Sequence, residues 1–176
     1  MRHDGPRCAA CASRSGWRTG LLAALVALLV ACASPASVAP GTPTAQVLQT
    51  LGAPTARYPA PEGGERLQYS MQPAGQQVFN LDTDAQGRVL RTEQVLSEAL
   101  FGQRIQSNAW NRADVLREYG RPARTMGVHN FDGDIWVWRY LDGPTWRLLF
   151  IDIDPEGAVR GWSTGDENVA DEIQSK

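Results

Sequence analysis

The chain is poor in the residues that most often carry reactive chemistry. Three Cys and two His in 176 residues are too few for a disulfide scaffold or a conventional zinc cluster. Lysine is almost absent, with 16 Arg to a single Lys. Seventeen basic side chains against 19 acidic ones leave a net charge of −2. That lacks the cationic excess needed to neutralise many phosphates, so nucleic acid is excluded as a partner. A membrane-length apolar run is also missing. The longest, residues 21–31, has 11 residues, against about 20 for a spanning helix. The sequence has no phosphate loop, zinc spacing or dinucleotide fingerprint, so no cofactor and no metal is expected. What it does have is 43% hydrophobic residues, enough for a core.

The short apolar run reads as an address. Arg2, Arg7, Arg14 and Arg18 precede it, and it closes on Leu29-Val30-Ala31-Cys32. A basic flank, a short apolar centre and a small-residue exit describe a signal peptide. The exit resembles the bacterial lipobox, in which the Cys becomes the lipidated first residue. The resemblance implies a signal peptide over 1–31, lipidation of Cys32, and a flexible tether over 32–41. With Ala33 following, it implies delivery to the outer membrane, held at its periplasmic face by the lipid anchor. Cys8 and Cys11 form a C-x-x-C that falls within the leader. The mature chain would carry thirteen basic and eighteen acidic side chains, His129 as its one histidine and no thiol free for a disulfide.

Past the tether, the sequence repeats itself. Val47-Leu48-x-x-Leu51-Gly52-x-Pro54 recurs as Val115-Leu116-x-x-Tyr119-Gly120-x-Pro122, and Asp82-x-Asp84-x-x-Gly87-x-Val89 as Asp152-x-Asp154-x-x-Gly157-x-Val159. The displacements are 68 and 70 residues, and repetition in the same order with the same internal spacing signals a duplicated unit. Each block one reads as a helix ended by Gly and Pro. Thr42 is the expected cap of the first helix, with Pro43 at its first position. Asn111 with Asp114 is expected to cap the helix of the second copy. A further helix is expected over 97–107. Strands are expected over 66–72, 76–83 and 88–95, and over 134–142 and 145–153 with a third beyond Gly157. The fold class is therefore α+β: two tandem units, 42–96 and 97–166, each a helix or helix pair followed by a three-stranded antiparallel meander, then a polar tail over 167–176.

Phe101-x-x-x-Ile105, Val115-Leu116, Tyr119-Gly120-x-Pro122, Trp138-x-Tyr140 and Asp154-x-x-Gly157-x-Val159 resemble the SmpA/OmlA lipoproteins. These are the BamE-type accessory subunits of the outer-membrane β-barrel assembly machine. The family often has Gly before its second helix, where this chain has Asn108. The resemblance implies a non-enzymatic scaffold or protein-binding subunit, with β-barrel assembly subunits or another periplasmic protein as partner. Two such units in one chain also resemble the β-lactamase-inhibitory proteins, which implies the alternative of a binding or inhibitory module for a periplasmic enzyme.

Other chemistry weighs less. Gly161-Trp162-Ser163-Thr164-Gly165 matches the G-x-S-x-G of hydrolases, but no His follows it. The Asp82 and Asp152 repeats resemble calcium loops, yet β-forming residues flank both, and a hairpin turn accounts for them. The pairs Asp132/Asp134 and Asp152/Asp154 read as surface acids beside turns, and His129 as a loop residue. The difference between the copies lies on one sheet. In copy one Leu67, Tyr69, Met71, Phe79 and Leu81 form an apolar face opposite a polar one. Copy two has Trp138, Tyr140, Leu149 and Ile151 toward the core. Its opposite face is expected to hold Trp146, Phe150 and Trp162 with Arg139 and Arg160. Trp and Arg are enriched at binding hot spots, so these five are the expected protein-binding residues. That face could meet a partner or form the seam between copies.

Overall fold

A computed structural model describes residues 33–167. The expected signal peptide over 1–31, Cys32 and residues 168–176 lie outside the described residues. The fold is α+β, with three α-helices and two four-stranded antiparallel sheets. Helix α1 (Thr44–Leu51) precedes the first sheet, β1 (Ala56–Pro59), β2 (Glu65–Ser70), β3 (Val78–Thr83) and β4 (Val89–Gln94). Helices α2 (Glu98–Arg104) and α3 (Arg112–Tyr119) precede the second, β5 (Arg124–Val128), β6 (Phe131–Asp142), β7 (Thr145–Ile153) and β8 (Val159–Asp166). Each sheet keeps sequence order. The three-stranded expectation is thus corrected: a short leading strand, β1 or β5, adds a fourth to each meander.

Local chemistry explains most boundaries. Asn111 accepts from the amides of Ala113 and Asp114, while Asp114 returns a carboxylate to the Asn111 amide, as a capping box does. The first helix begins differently from expectation. Pro43 is its N-cap, without a side-chain cap, and Thr42 instead bonds back to the Ala39 carbonyl. Gly52 and Gly120 end α1 and α3 at φ 78° and 71°, backbone that side chains resist. Asn108 sits at φ 62° and donates its amide to the Val159 carbonyl at 2.7 Å. Gly41, at φ 86°, gives the same bond to Val89. Asn tolerates that region better than most residues.

The stretch expected as a tether is in part packed. Pro35 is buried in a short 3₁₀ turn, Val38 packs on the first core, and Thr92 bonds the Val38 carbonyl. The reason is that the β4 edge offers free backbone groups, which Gly41 and Thr42 occupy.

Two cores result. Val47, Leu67, Tyr69, Phe79, Leu81 and Val89 join α1 to the first sheet. Met71, expected in that apolar face, lies past the end of β2 and is exposed. The larger core joins α2 and α3 to the second sheet through Phe101, Val115, Tyr119, Trp138, Tyr140, Leu149 and Ile151. Val78, Val95 and Leu96 reach into it from the first half of the chain. The layers therefore run α1, first sheet, α2 with α3, second sheet.

The seam between the halves is polar. The first sheet turns Gln68, Asn80 and Arg66 toward α3, and all three are buried. The last carbonyls of a helix lack partners within it. Here Gln68 Nε2 donates to Leu116 and Arg117, Asn80 Nδ2 donates to Glu118 at 2.8 Å, and the Tyr58 hydroxyl donates to Leu116 at 3.0 Å. Beside them six side chains close a ring. Arg66 bridges Asp82 and Glu118, Arg104 bridges Glu118 and Glu93, and Arg91 bridges Glu93 and Asp82. Three cations and three anions balance, so the ring is neutral.

Candidate protein-binding surface

Strand pairing decides which predicted residues share a face. Side chains alternate between the faces of a strand. Arg139 pairs with Leu148, Leu141 with Trp146 and Val137 with Phe150. These six project from the outer face of the second sheet, away from α2 and α3. Trp146 is 43% exposed and Leu141 41%. Arg139 holds its guanidinium carbon 5.3 Å from the centre of the Trp146 ring. A cation over an indole face is attracted by the ring quadrupole.

Two of the five predicted residues are elsewhere. Ile153 pairs with Val159 and Asp152 with Gly161, leaving Arg160 as the extra residue of a bulge. A bulge shifts the parity of every later residue. Trp162 therefore pairs with Ile151 on the core face, where its ring meets Phe101 edge-on at 6.1 Å. Arg160 stays at the hairpin and donates to Asp154 at 2.6 Å and Asn108 at 3.0 Å. Trp146, Phe150 and Arg139 are brought together; Trp162 and Arg160 are not part of that surface.

Nor is the face wholly open. The loop between β2 and β3 reaches across to it. Gln72 accepts from the Arg139 amide and donates to its carbonyl at 2.7 Å, and Arg139 Nη1 donates to the carbonyls of Pro73 and Ala74. Arg139 Nε also donates to Glu167 at 2.5 Å. The partner-or-seam alternative is thus divided. Arg139 is held by the first half of the chain, while Trp146 and Leu141 stay open to solvent. The seam itself, with the carbonyl caps and the charge ring, was missed in sequence because Arg66, Gln68 and Asn80 read as a solvated face.

The remaining motifs serve the fold. Asp84 accepts from the Gln86 and Arg88 amides, and Asp154 from the Ala158 amide and Arg160. Desolvation works to raise the Asp154 pKa, but the Ala158 and Arg160 hydrogen bonds outweigh it and hold the group below the usual range. Among the described residues no group of three or more His, Cys, Asp or Glu could hold a metal. Ser163 lies within β8, exposed and opposite Phe150, not at the strand-to-helix turn a nucleophile elbow uses. His129 is exposed in the link between β5 and β6. Burial pushes the Tyr119 hydroxyl far up, so it stays protonated.

No family model matches the chain, and no curated protein matches it. Among solved structures, it is similar to a DUF4309 family protein, YjgB, from Bacillus subtilis. That likeness has a TM-score of 0.30 and 11% identity, over 72% of this chain and 79% of the other. At that score it carries no argument about function. Among the described residues, no helix is long and apolar enough to cross a membrane.

Proposed function

We propose that the chain is an outer-membrane-anchored periplasmic lipoprotein. It acts as a non-enzymatic scaffold or protein-binding subunit in outer-membrane protein assembly or envelope integrity. The observation that carries the binding role is the outer face of the second sheet. Trp146, Leu141 and partly covered Phe150 present apolar surface beside a held Arg139, the composition of a hot spot. Anchoring is supported by the basic flank, the short apolar run and Cys32. The reading takes the two halves as tandem copies of one unit. Its support is the recurring motifs and matched bonds such as Thr44 to Gly87 and Arg112 to Gly157.

Replacing Cys32 by Ser and fractionating the cells tests the anchor. Loss of membrane association and accumulation of precursor are expected; unchanged processing and association would overturn it. A second reading, a binding or inhibitory module for a periplasmic enzyme, draws on the same Trp146–Arg139 pair. Affinity capture from solubilised envelopes separates the two. Barrel-assembly subunits support the scaffold, and one soluble enzyme supports the inhibitor.

A further inference from the structure

Among the described residues, most arginines have a carboxylate within 4 Å. Arg88, Arg117, Arg121 and Arg124 do not. Three of these fall within eight residues, from the last turn of α3 to the first residue of β5. Arg117 reaches the end of β1, donating to the Pro59 carbonyl at 3.0 Å. Arg121 lines an open cleft of about 320 Å³ with Tyr58, Ser70 and Gln72. Arg124 lines a second, of about 190 Å³, with Pro73, Val137 and Leu148. Gln72 lines the first cleft and Pro73, the next residue in the chain, lines the second. The first holds no carboxylate, and the Glu167 of the second is engaged by Arg139.

From this cluster β5 departs as the terminal strand of its sheet. All five of its residues are exposed, Met126 and Val128 among them. Two of the other three edges are covered, and β1 ends in Pro59. Gly41 and Thr42 cover the start of β4, and Asn108 and Trp110 cover the start of β8. Uncovered edge strands are usually blunted by Pro or inward charge, because their free amides and carbonyls template another strand. β5 has no Pro and no acid; its one charge, Arg124, and the register shift between Met126 and Val128 leave the Arg124–Met126 pairing with β6 regular.

We propose that the β5 edge receives an extended acidic segment of a partner protein. Its backbone pairs with β5 and its carboxylates meet Arg121 and Arg124. The inference rests on the protein-binding reading above and names the chemistry of one occupant. Charge complementarity selects it. A localised cationic cluster on a chain of net negative charge favours carboxylates. A second copy is disfavoured, because antiparallel pairing of β5 with itself would bring two such clusters into one interface.

The probe is a short synthetic peptide alternating Glu with Val, titrated onto the isotope-labelled full chain in detergent micelles. Amide shifts confined to β5 and the cleft residues are expected. Arg121→Glu with Arg124→Glu should weaken binding about tenfold or more, with the melting temperature unchanged because both side chains are exposed. A matched Lys-Val peptide should bind far more weakly. Equal binding of both peptides, shifts mapping elsewhere, or no binding by wild type would overturn the proposal. So would vesicles of phosphatidylglycerol shifting the same residues while the peptide does not. Capture of the cellular partner by the wild type reads the broader function separately. If capture persists in the double variant, the edge proposal fails and the scaffold stands.

Discussion

Replacing Glu118 by Ala should destabilise the protein by about 2–3 kcal/mol. The Glu118 side chain is 12% exposed and joins Arg66, 10% exposed, to Arg104. Removing one member of a buried pair typically costs about 3–5 kcal/mol, because the partner charge is left uncompensated. Two features reduce that here. Arg66 keeps Asp82 and Arg104 keeps Glu93, and Arg104 is partly solvated, which weakens its pairing. For a folded part of this size, about 2–4 °C per kcal/mol puts the fall in melting temperature at about 4–12 °C by calorimetry. Arg57→Gln is the control, since its pair with Glu65 is exposed and worth about 0–1 kcal/mol. A double-mutant cycle of Glu118→Ala with Arg104→Met should show coupling of about 1 kcal/mol or more. A Glu118→Ala variant that melts with wild type, or zero coupling, would refute the seam as a source of stability.

Gln68→Ala removes a donor from the end of α3 and leaves the buried Asn80 Oδ1 without its donor, which should cost about 1–3 kcal/mol in urea unfolding. Asp82 yields a pH dependence. Desolvation tends to raise its pKa, but hydrogen bonds and charge from Arg66 and Arg91 prevail, so the folded value lies below the ordinary one. Its stabilisation is therefore present above about pH 4 and is lost as pH falls through the folded value; Asp82→Asn should flatten that acid limb in denaturant titrations. Trp162→Ala should lower the melting temperature clearly, because its ring packs on Phe101 in the core, whereas Trp146→Ala should leave it nearly unchanged. Equal losses would mean that the β8 register is wrong.

The strands most legible in sequence were those with alternation and punctuation. β7 was expected at 145–153 and runs Thr145–Ile153, because Gly143-Pro144 and the Asp154 turn bracket a half-buried run. The Asn111 cap was legible for the same kind of reason, since its partner Asp114 stands three residues on. β1 and β5 were not. Ala-Arg-Tyr-Pro is only four residues long and Arg-Thr-Met-Gly-Val is exposed throughout; they are strands because β2 and β6 offer an edge. Trp162 was misplaced by a single residue of parity, the Arg160 bulge. The first sheet carries the same irregularity at Leu90, between the Thr83–Val89 and Asp82–Arg91 pairs. Arg66, Gln68 and Asn80 misled because polarity usually means solvent. Here it means helix carbonyls and carboxylates brought from a distant part of the chain, a long-range pairing that local pattern does not encode.

The claim that the outer face of the second sheet binds protein is tested most directly by a photoreactive residue at position 146 in living cells. Position 90 on β4, also exposed, serves as the control. Crosslinks from position 146 to a barrel-assembly subunit, absent from position 90 and lost when Arg139 is replaced by Ala, are the expected result. No crosslink at position 146, or the same crosslinks from both positions, would contradict it.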